Sequence, residues 1–210
     1  MPVNSRRGRR PADHDDTENR IRRAALRRFA ESGFDAARLR DIAADAGVDA
    51  ALISYRFGSK MGLWKAVVER IGTLMLARLT TAGGASETTP PGIALAEQMN
   101  VLIDINCDDD AIPRFFLRDA GGNAERSQWA FTHMSRPVLD HFMPFVERAH
   151  AADHVSAPMP ELVFLTFAYG VAVSVVRRDG IVTFVPALAD DRAFRQSLHD
   201  SLIAPHIRHG

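Results

Sequence analysis

The sequence predicts an all-α protein of two parts, a small N-terminal three-helix unit built on a helix-turn-helix and a larger helical domain behind it. Three observations carry this. Apolar residues recur at three- and four-residue spacing in segment after segment, and no stretch shows a convincing two-residue alternation. Residues 39–60 read as two short helices around a glycine corner, followed by a glycine stop and a capped third helix. A helix from Lys60 links the two parts, and residues 80–91, rich in Gly, Ser, Thr and Pro, read as a loop after it. At 210 residues the chain is long enough for one small module plus a domain with its own core.

Residues 1–16 read as a disordered arm, with arginines at 6, 7, 9 and 10 followed by Asp13, Asp15 and Asp16. Such an arm either dips into a DNA minor groove or remains a solvated tail. The first helix starts with Thr17 as its cap and turns Ile21, Ala25 and Phe29 inward. Leu39, Ile42, Ala43 and Ala46 then mark one face of a second helix. Gly47 ends that helix, because a left-handed turn costs glycine no steric strain. Asp49 caps the third helix, whose Ile53 and Phe57 fall four apart and face inward with Val48 and Leu52. Gly58 stops it, Ser59 caps the next helix, and Lys60 sits in that helix's first turn.

Ala50, Ala51, Ser54 and Tyr55 are left on the outer side of the third helix. Two alanines allow close backbone approach to a groove and contact with a thymine methyl; Ser54 and Tyr55 offer hydroxyls to base or phosphate. Lys60 opposes the helix dipole and needs a compensating partner, which a DNA phosphate at the same helix end would supply. The chain has only two lysines. The competing reading is an ordinary helical corner with a solvated lysine.

The formal charge is zero, but it is unevenly spread. Residues 1–70 hold 15 Arg/Lys against 10 Asp/Glu, and residues 71–210 hold 11 against 16. The positive excess therefore lies where the helix-turn-helix lies, as steering to DNA requires. Cys107 is the only cysteine, so no intrachain disulfide is possible and a reducing cytoplasm fits. It reads as a small buried hydrophobe rather than a redox sensor. No apolar run is long enough to span a bilayer, and no secretory pattern is present.

The helix ending Ala24, Ala25, Leu26, Phe29, Ala30, Gly33 and Phe34, the run Arg40, Asp41, Ile42, Ala43, Ala46, Gly47 and Val48, and the stretch Phe57, Gly58, Ser59, Lys60 and Leu63 together resemble TetR-type (tetracycline-repressor-like) transcriptional regulators. The resemblance covers residues 17–70. It implies that Arg40 reaches a guanine from the second helix, that Ala50, Ala51, Ser54 and Tyr55 face bases and nearby phosphates, and that Arg56 and Lys60 contact the backbone. Arg38 stands where many members carry threonine, so a charged phosphate contact replaces a cap there. Ser54 stands where many carry tyrosine, and the aromatic is at Tyr55, so the operator cannot be borrowed from a relative. With Ser59 at the same helix start, these are the expected DNA contacts.

The resulting division is an arm at 1–16, the DNA-binding domain at 17–63 with its recognition motif at 38–57, and an effector-binding and dimerisation domain at 64–210. In that last domain the fourth helix runs from Lys60 to Leu79 with Leu63, Val67, Ile71 and Leu74 on one side. Helices follow at 93–105, 111–119, 128–150, 161–178 and 191–203, the third of these kinked or divided at Pro137 and Pro144. The segment 161–178 is apolar on nearly every face and must be buried all round. Small residues Ala168, Gly170, Ala172 and Ser174 admit another helix closely. Together with Phe194, Leu198 and Leu202 at four-residue spacing, this predicts a four-helix interface across a twofold axis, involving also Phe164 and Val175; a central helix of a monomeric core is the alternative. In relatives the last two helices form such a dimer. Two recognition helices must also reach half-sites about 34–36 Å apart or a multiple of that.

The resemblance further implies a ligand cavity among helices above the DNA module. Met99, Ile103, Phe115, Phe116, Trp129, His133 and Phe142 are the candidate lining for a small, largely apolar effector, although aromatics at helical spacing also serve as core. Arg114, Arg118 and Asp119 read as surface ion pairs. No zinc spacing, nucleophile elbow, phosphate loop or dinucleotide fingerprint is present, and the aspartates at 108–110 read as a loop and capping segment. The expectation is a cytoplasmic homodimeric repressor, not an enzyme, needing no cofactor or metal, that binds a palindromic double-stranded operator and releases it to a small molecule. The alternatives are a ligand-binding or protein-interaction module with a purely structural helix-turn-helix, and an all-α enzyme using His133 or His141.

Overall fold

The computed structural model describes residues 11–82, 89–119, 123–155 and 159–207. They form eleven α-helices, and their only bridge pairing is an isolated antiparallel one between Val155 and Ile207. The chain divides into two compact units, residues 1–67 and 68–210. No described helix is long and apolar enough to cross a membrane.

The first unit holds α1 (Pro11–Ala36), α2 (Leu39–Ala46), α3 (Ala50–Phe57) and the start of α4 (Lys60–Thr81). Helix α1 begins at Pro11, so the expected arm is helical over its last six positions and Thr17 lies inside the helix rather than capping it. The arginines at 6, 7, 9 and 10 lie outside the described residues. Gly33, at φ 77° and ψ 169°, interrupts α1 and redirects the chain toward α2. The core is formed by Ile21, Ala25, Phe29, Ile42, Ala46, Ile53, Leu63 and Trp64, all buried. Phe34 packs edge-on to Trp64 with centroids 6.4 Å apart, and stacks on Phe29. Arg28 forks onto Asp45 and ties α1 to α2, its Nη2 lying 2.8 Å from Oδ1. That hydrogen bond and the adjacent charge hold the Asp45 carboxyl below its ordinary pKa.

In the second unit α5 (Pro91–Asp108) is central and packs against α8 (Arg136–Ala151), α9 (Pro160–Val176) and α11 (Asp191–Leu202). Helix α6 (Ala111–Asp119) lies on α9. The helix expected at 128–150 is divided, as its prolines imply. Helix α7 (Ala124–Ala130) passes into a π-helical segment (Phe131–Ser135) and then α8, with Pro137 in the first turn of α8. Pro144 stays within α8, where it deprives the Asp140 carbonyl of its helical donor; both residues are exposed. Gly72 of α4 packs against the π segment, where a Cβ would lie 2.2 Å from the His133 carbonyl oxygen.

After α9 the chain makes a short α10 (Arg178–Phe184) and a 3-10 turn (Pro186–Ala189) that the sequence pattern did not reveal. Arg178 holds this connection, donating to the carbonyls of Leu188 and Ala189, pairing with Asp191 and lying 4.6 Å from the Phe194 ring centroid. Arg195 of α11 grips Asp104 at 2.6 Å and Asp108 at 2.8 Å, and Arg78 reaches Asp108 as well. Burial pushes the Asp108 carboxyl up, but the hydrogen bonds and charges of Arg195 and Arg78 outweigh it, leaving the pKa depressed. The other two aspartates of that run cap and pair locally: Asp109 accepts from Ala111 N–H and Asp110 binds Arg114. Cys107 is half-buried, and desolvation raises its thiol pKa against the opposing pull of Arg195.

Candidate functional site

The helix-turn-helix is built as its residues dictate. Ile42, Ala43 and Ala46 are buried on α2. Gly47 takes the left-handed conformation at φ 63° and ψ 42°, returning its N–H to the end of α2. Asp49 Oδ1 accepts the Ala51 N–H at 2.7 Å and starts α3. Ile53 is the fully buried anchor of α3, with Leu52 and Phe57 half-buried. The opposite side is open: Ala51, Ser54 and Tyr55 are exposed and Ala50 is half-exposed. Tyr55 is 84% exposed. The Ser54 hydroxyl makes one long bond, to the Ala50 carbonyl at 3.4 Å. Arg38 and Arg40 stand exposed at the start of α2, Arg38 making no side-chain cap. The Arg40 side chain is 71% exposed, with Asp41 as a neighbour at 3.3 Å. Ala51, Ser54 and Tyr55 form an outward strip that the domain's own core does not use.

Two expected contacts are internalised, which corrects the sequence argument for them. Lys60 was read as needing an external anion; its Nζ instead donates to the carbonyls of Asp35 at 3.0 Å and Ala37 at 3.1 Å, and lies 4.7 Å from the Phe34 ring centroid. The partners come from the end of α1, far away in sequence, so spacing could not disclose them. Arg56 is half-buried and donates to Glu18 at 3.0 Å, beside the Glu18–Arg22 pair. Ser59 Oγ accepts the Gly62 N–H at 3.0 Å, so it is the cap of α4. Gly62 lets α4 touch the end of α3, since a Cβ there would fall 2.0 Å from the Phe57 carbonyl oxygen.

In the second unit a cavity of about 90 Å³ lies among α4, α5, α6, the π segment, α8 and α9. Of the expected lining only Phe116 borders it. Met99, Phe115 and Phe142 are buried core side chains that do not border this cavity, and Ile103, also buried, borders a separate open groove next to Arg195. Trp129 and His133 stack on each other, centroids 3.9 Å apart, instead of facing the cavity. The actual wall includes Met75, Leu102, Asn106, Met134, Ser135 and Tyr169, which helical spacing alone does not select. Asn106 is one of several polar residues of α5, so polarity alone does not single it out either.

The expected dimer residues also need correction. Phe164, Ala172, Val175, Phe194 and Leu198 are buried inside the chain's own core, and Phe164, Ala168 and Ala172 line the cavity. Gly170 faces Leu202 of the same chain, a Cβ there coming within 3.2 Å of the leucine. The apolar side chains that α9 leaves exposed are Leu162, Leu165, Tyr169 and Val173. When every face of a helix is apolar, periodicity does not tell which face turns inward.

Residues 21–67 match the family model for bacterial regulatory proteins, tetR family. No curated relative matches the sequence. Among solved structures, the fatty acid degradation regulator FadR from Bacillus halodurans superposes with a TM-score of 0.68 at 16% identity, over 88% of this chain and 97% of that one. A TetR-like transcriptional regulator from Rhodococcus sp. RHA1 gives a TM-score of 0.64 at 18% identity, over 92% and 94%. HlyIIR, a hemolysin II transcriptional regulator, gives 0.64 at 17% identity, over 90% and 98%. Residues 21–67 are therefore similar to the DNA-binding region of the tetR family, and over about nine-tenths of its length the chain shares the fold of these solved regulators.

Proposed function

We propose that the protein is a cytoplasmic DNA-binding repressor, not an enzyme, that acts as a homodimer on a palindromic operator and is released by a small-molecule effector held in the second unit. The observation that supports DNA binding most strongly is the exposed strip of α3. A tyrosine 84% exposed on the same helix face as Ala51 and Ser54, with Arg38 and Arg40 exposed at the start of the preceding helix, contributes little to the domain's own packing. It suits a groove: Tyr55, Ser54 and the alanines read base edges, and Arg38, Arg40 and Ser59 meet base or phosphate. Lys60 and Arg56 act from behind, fixing the orientation of α3 through α1.

Dimerisation is assigned to the exposed apolar face of α9, Leu162, Leu165, Tyr169 and Val173. The effector favours a conformation in which the two recognition helices are wrongly spaced, so its binding energy is drawn from DNA affinity. The internal ties of Lys60 and Arg56 are equally what a purely structural helix-turn-helix would show, and they keep that second reading in play. Selection of bound fragments from the source organism's DNA, followed by titration of a selected fragment, separates the two. The repressor reading expects a palindromic consensus bound by a dimer; absence of any enriched sequence would favour the structural module.

A further inference from the structure

We propose that the cavity of the second unit takes a small, uncharged, largely apolar molecule carrying one hydrogen-bond donor, which the Asn106 carboxamide oxygen accepts. This rests on the reading that the unit holds an effector, and it adds the effector's chemical class. Asn106 is 94% buried by the complement of its 6% exposure, and it lies in the cavity wall. Its Nδ2 donates to the Leu102 carbonyl at 2.8 Å, which fixes the orientation of the amide. Among the described residues no donor reaches its Oδ1. The oxygen is not one of the fully enclosed unpaired atoms, so it keeps accessible surface at which a ligand donor can reach it.

The remaining wall selects the rest of the ligand. None of the described residues lining the cavity is Asp, Glu, Lys, Arg or His. A carboxylate, phosphate or ammonium placed against this wall would lose hydration without gaining an ion partner, which disfavours ligands whose charge must enter the cavity. The volume of about 90 Å³ is below the roughly 150 Å³ of an apolar cavity that admits benzene, so a single ring enters only as the wall yields. Met75 and Met134 in the wall are unbranched and re-pack readily, which lets it expand around such a ring. Ser135, also in the wall, adds a hydroxyl able to donate or accept.

The test is calorimetric titration of the full chain with phenol, toluene and benzoate, three single rings that differ in donor and charge. Phenol should bind, and Asn106→Leu should weaken it about tenfold while toluene changes by less than about twofold, because only phenol loses a hydrogen bond. Benzoate should not saturate either protein. Ala168→Met, which fills the cavity, should abolish phenol and toluene binding alike and places the ligand without relying on the Asn106 variant. Equal effects of Asn106→Leu on phenol and toluene, tighter binding of benzoate, indifference to Ala168→Met, or no binding by any of the three would overturn the assignment. DNA affinity measured in parallel keeps the two readings apart. Phenol that binds without loosening DNA sinks only the effector reading; a carboxylate that loosens DNA sinks only the ligand class.

Discussion

Lys60 sits 4.7 Å from the ring centroid of Phe34, its ammonium shared between that aromatic face and two carbonyls at the end of α1. The first residue of α4 thereby fastens the turn between α1 and α2 to the helix that follows α3. Lys60→Met keeps the stem and removes the charge, so it should cost about 1–2 kcal/mol of stability, measured by chemical denaturation. Unchanged stability would return Lys60 to the role of a free cation waiting for phosphate.

Gly72 meets the π segment backbone to backbone. Alanine at an ordinary helical position stabilises by up to about 1 kcal/mol relative to glycine. Here the added methyl would lie 2.2 Å from the His133 carbonyl oxygen, with Met134 Cα at 3.1 Å, so the sign should reverse. Gly72→Ala should destabilise by about 1–3 kcal/mol, read as a lower thermal midpoint. A raised midpoint would contradict the close packing of α4 on residues 131–135.

His141 tests the sign of the pH dependence. Burial lowers its pKa from the ordinary value of 6.5, and its Nε2 lies 2.9 Å from Gln98 Oε1, an acceptor that requires the proton on that nitrogen. The unfolded chain then takes up a proton before the folded one does. Stability is full above pH 6.5 and is lost as the pH falls through the depressed folded value. His141→Gln removes this loss, so denaturation curves of the two proteins should diverge on acidification below pH 6.5 and run parallel above it. Parallel curves throughout would show the imidazole to be unperturbed.

The exposed face of α9 and its buried face should respond in opposite ways. Val173→Glu, on a side chain 47% exposed, should leave the fold intact and give a monomer in sedimentation. Phe164→Ala, at a side chain packed 4.4 Å from Phe142 in the core, should lose about 3–5 kcal/mol of stability. A Val173→Glu protein that stays dimeric would move the interface elsewhere.

How legible the fold was depends on how local its causes are. Helices α2 and α3, the Gly47 corner and the Asp49 cap follow from residues within a few positions of one another, and the spacing discloses them. Partners distant in sequence were hidden: the carbonyls that hold Lys60, the Glu18 that holds Arg56, and the Leu202 under Gly170. Helix α9, apolar all round, gave its burial but not its facing, which is why the interface residues chosen on it fall in the chain's own core; the cavity candidates lie on other helices, where aromatic spacing does not separate core from lining. The short α10 lacks an apolar stripe long enough to register, and the prolines mark where the long segment is interrupted without disclosing that the interruption is π-helical.

The account turns on whether the outer strip of α3 reads DNA. The direct measurement is fluorescence anisotropy of a selected fragment and a scrambled one across a salt series, with the wild type, Arg40→Ala and Tyr55→Ala. The account predicts that the wild type prefers the selected fragment, that binding weakens steeply with salt, and that each variant narrows the preference by about 1–3 kcal/mol. Wild-type binding that is equal on both fragments and indifferent to both substitutions would contradict it.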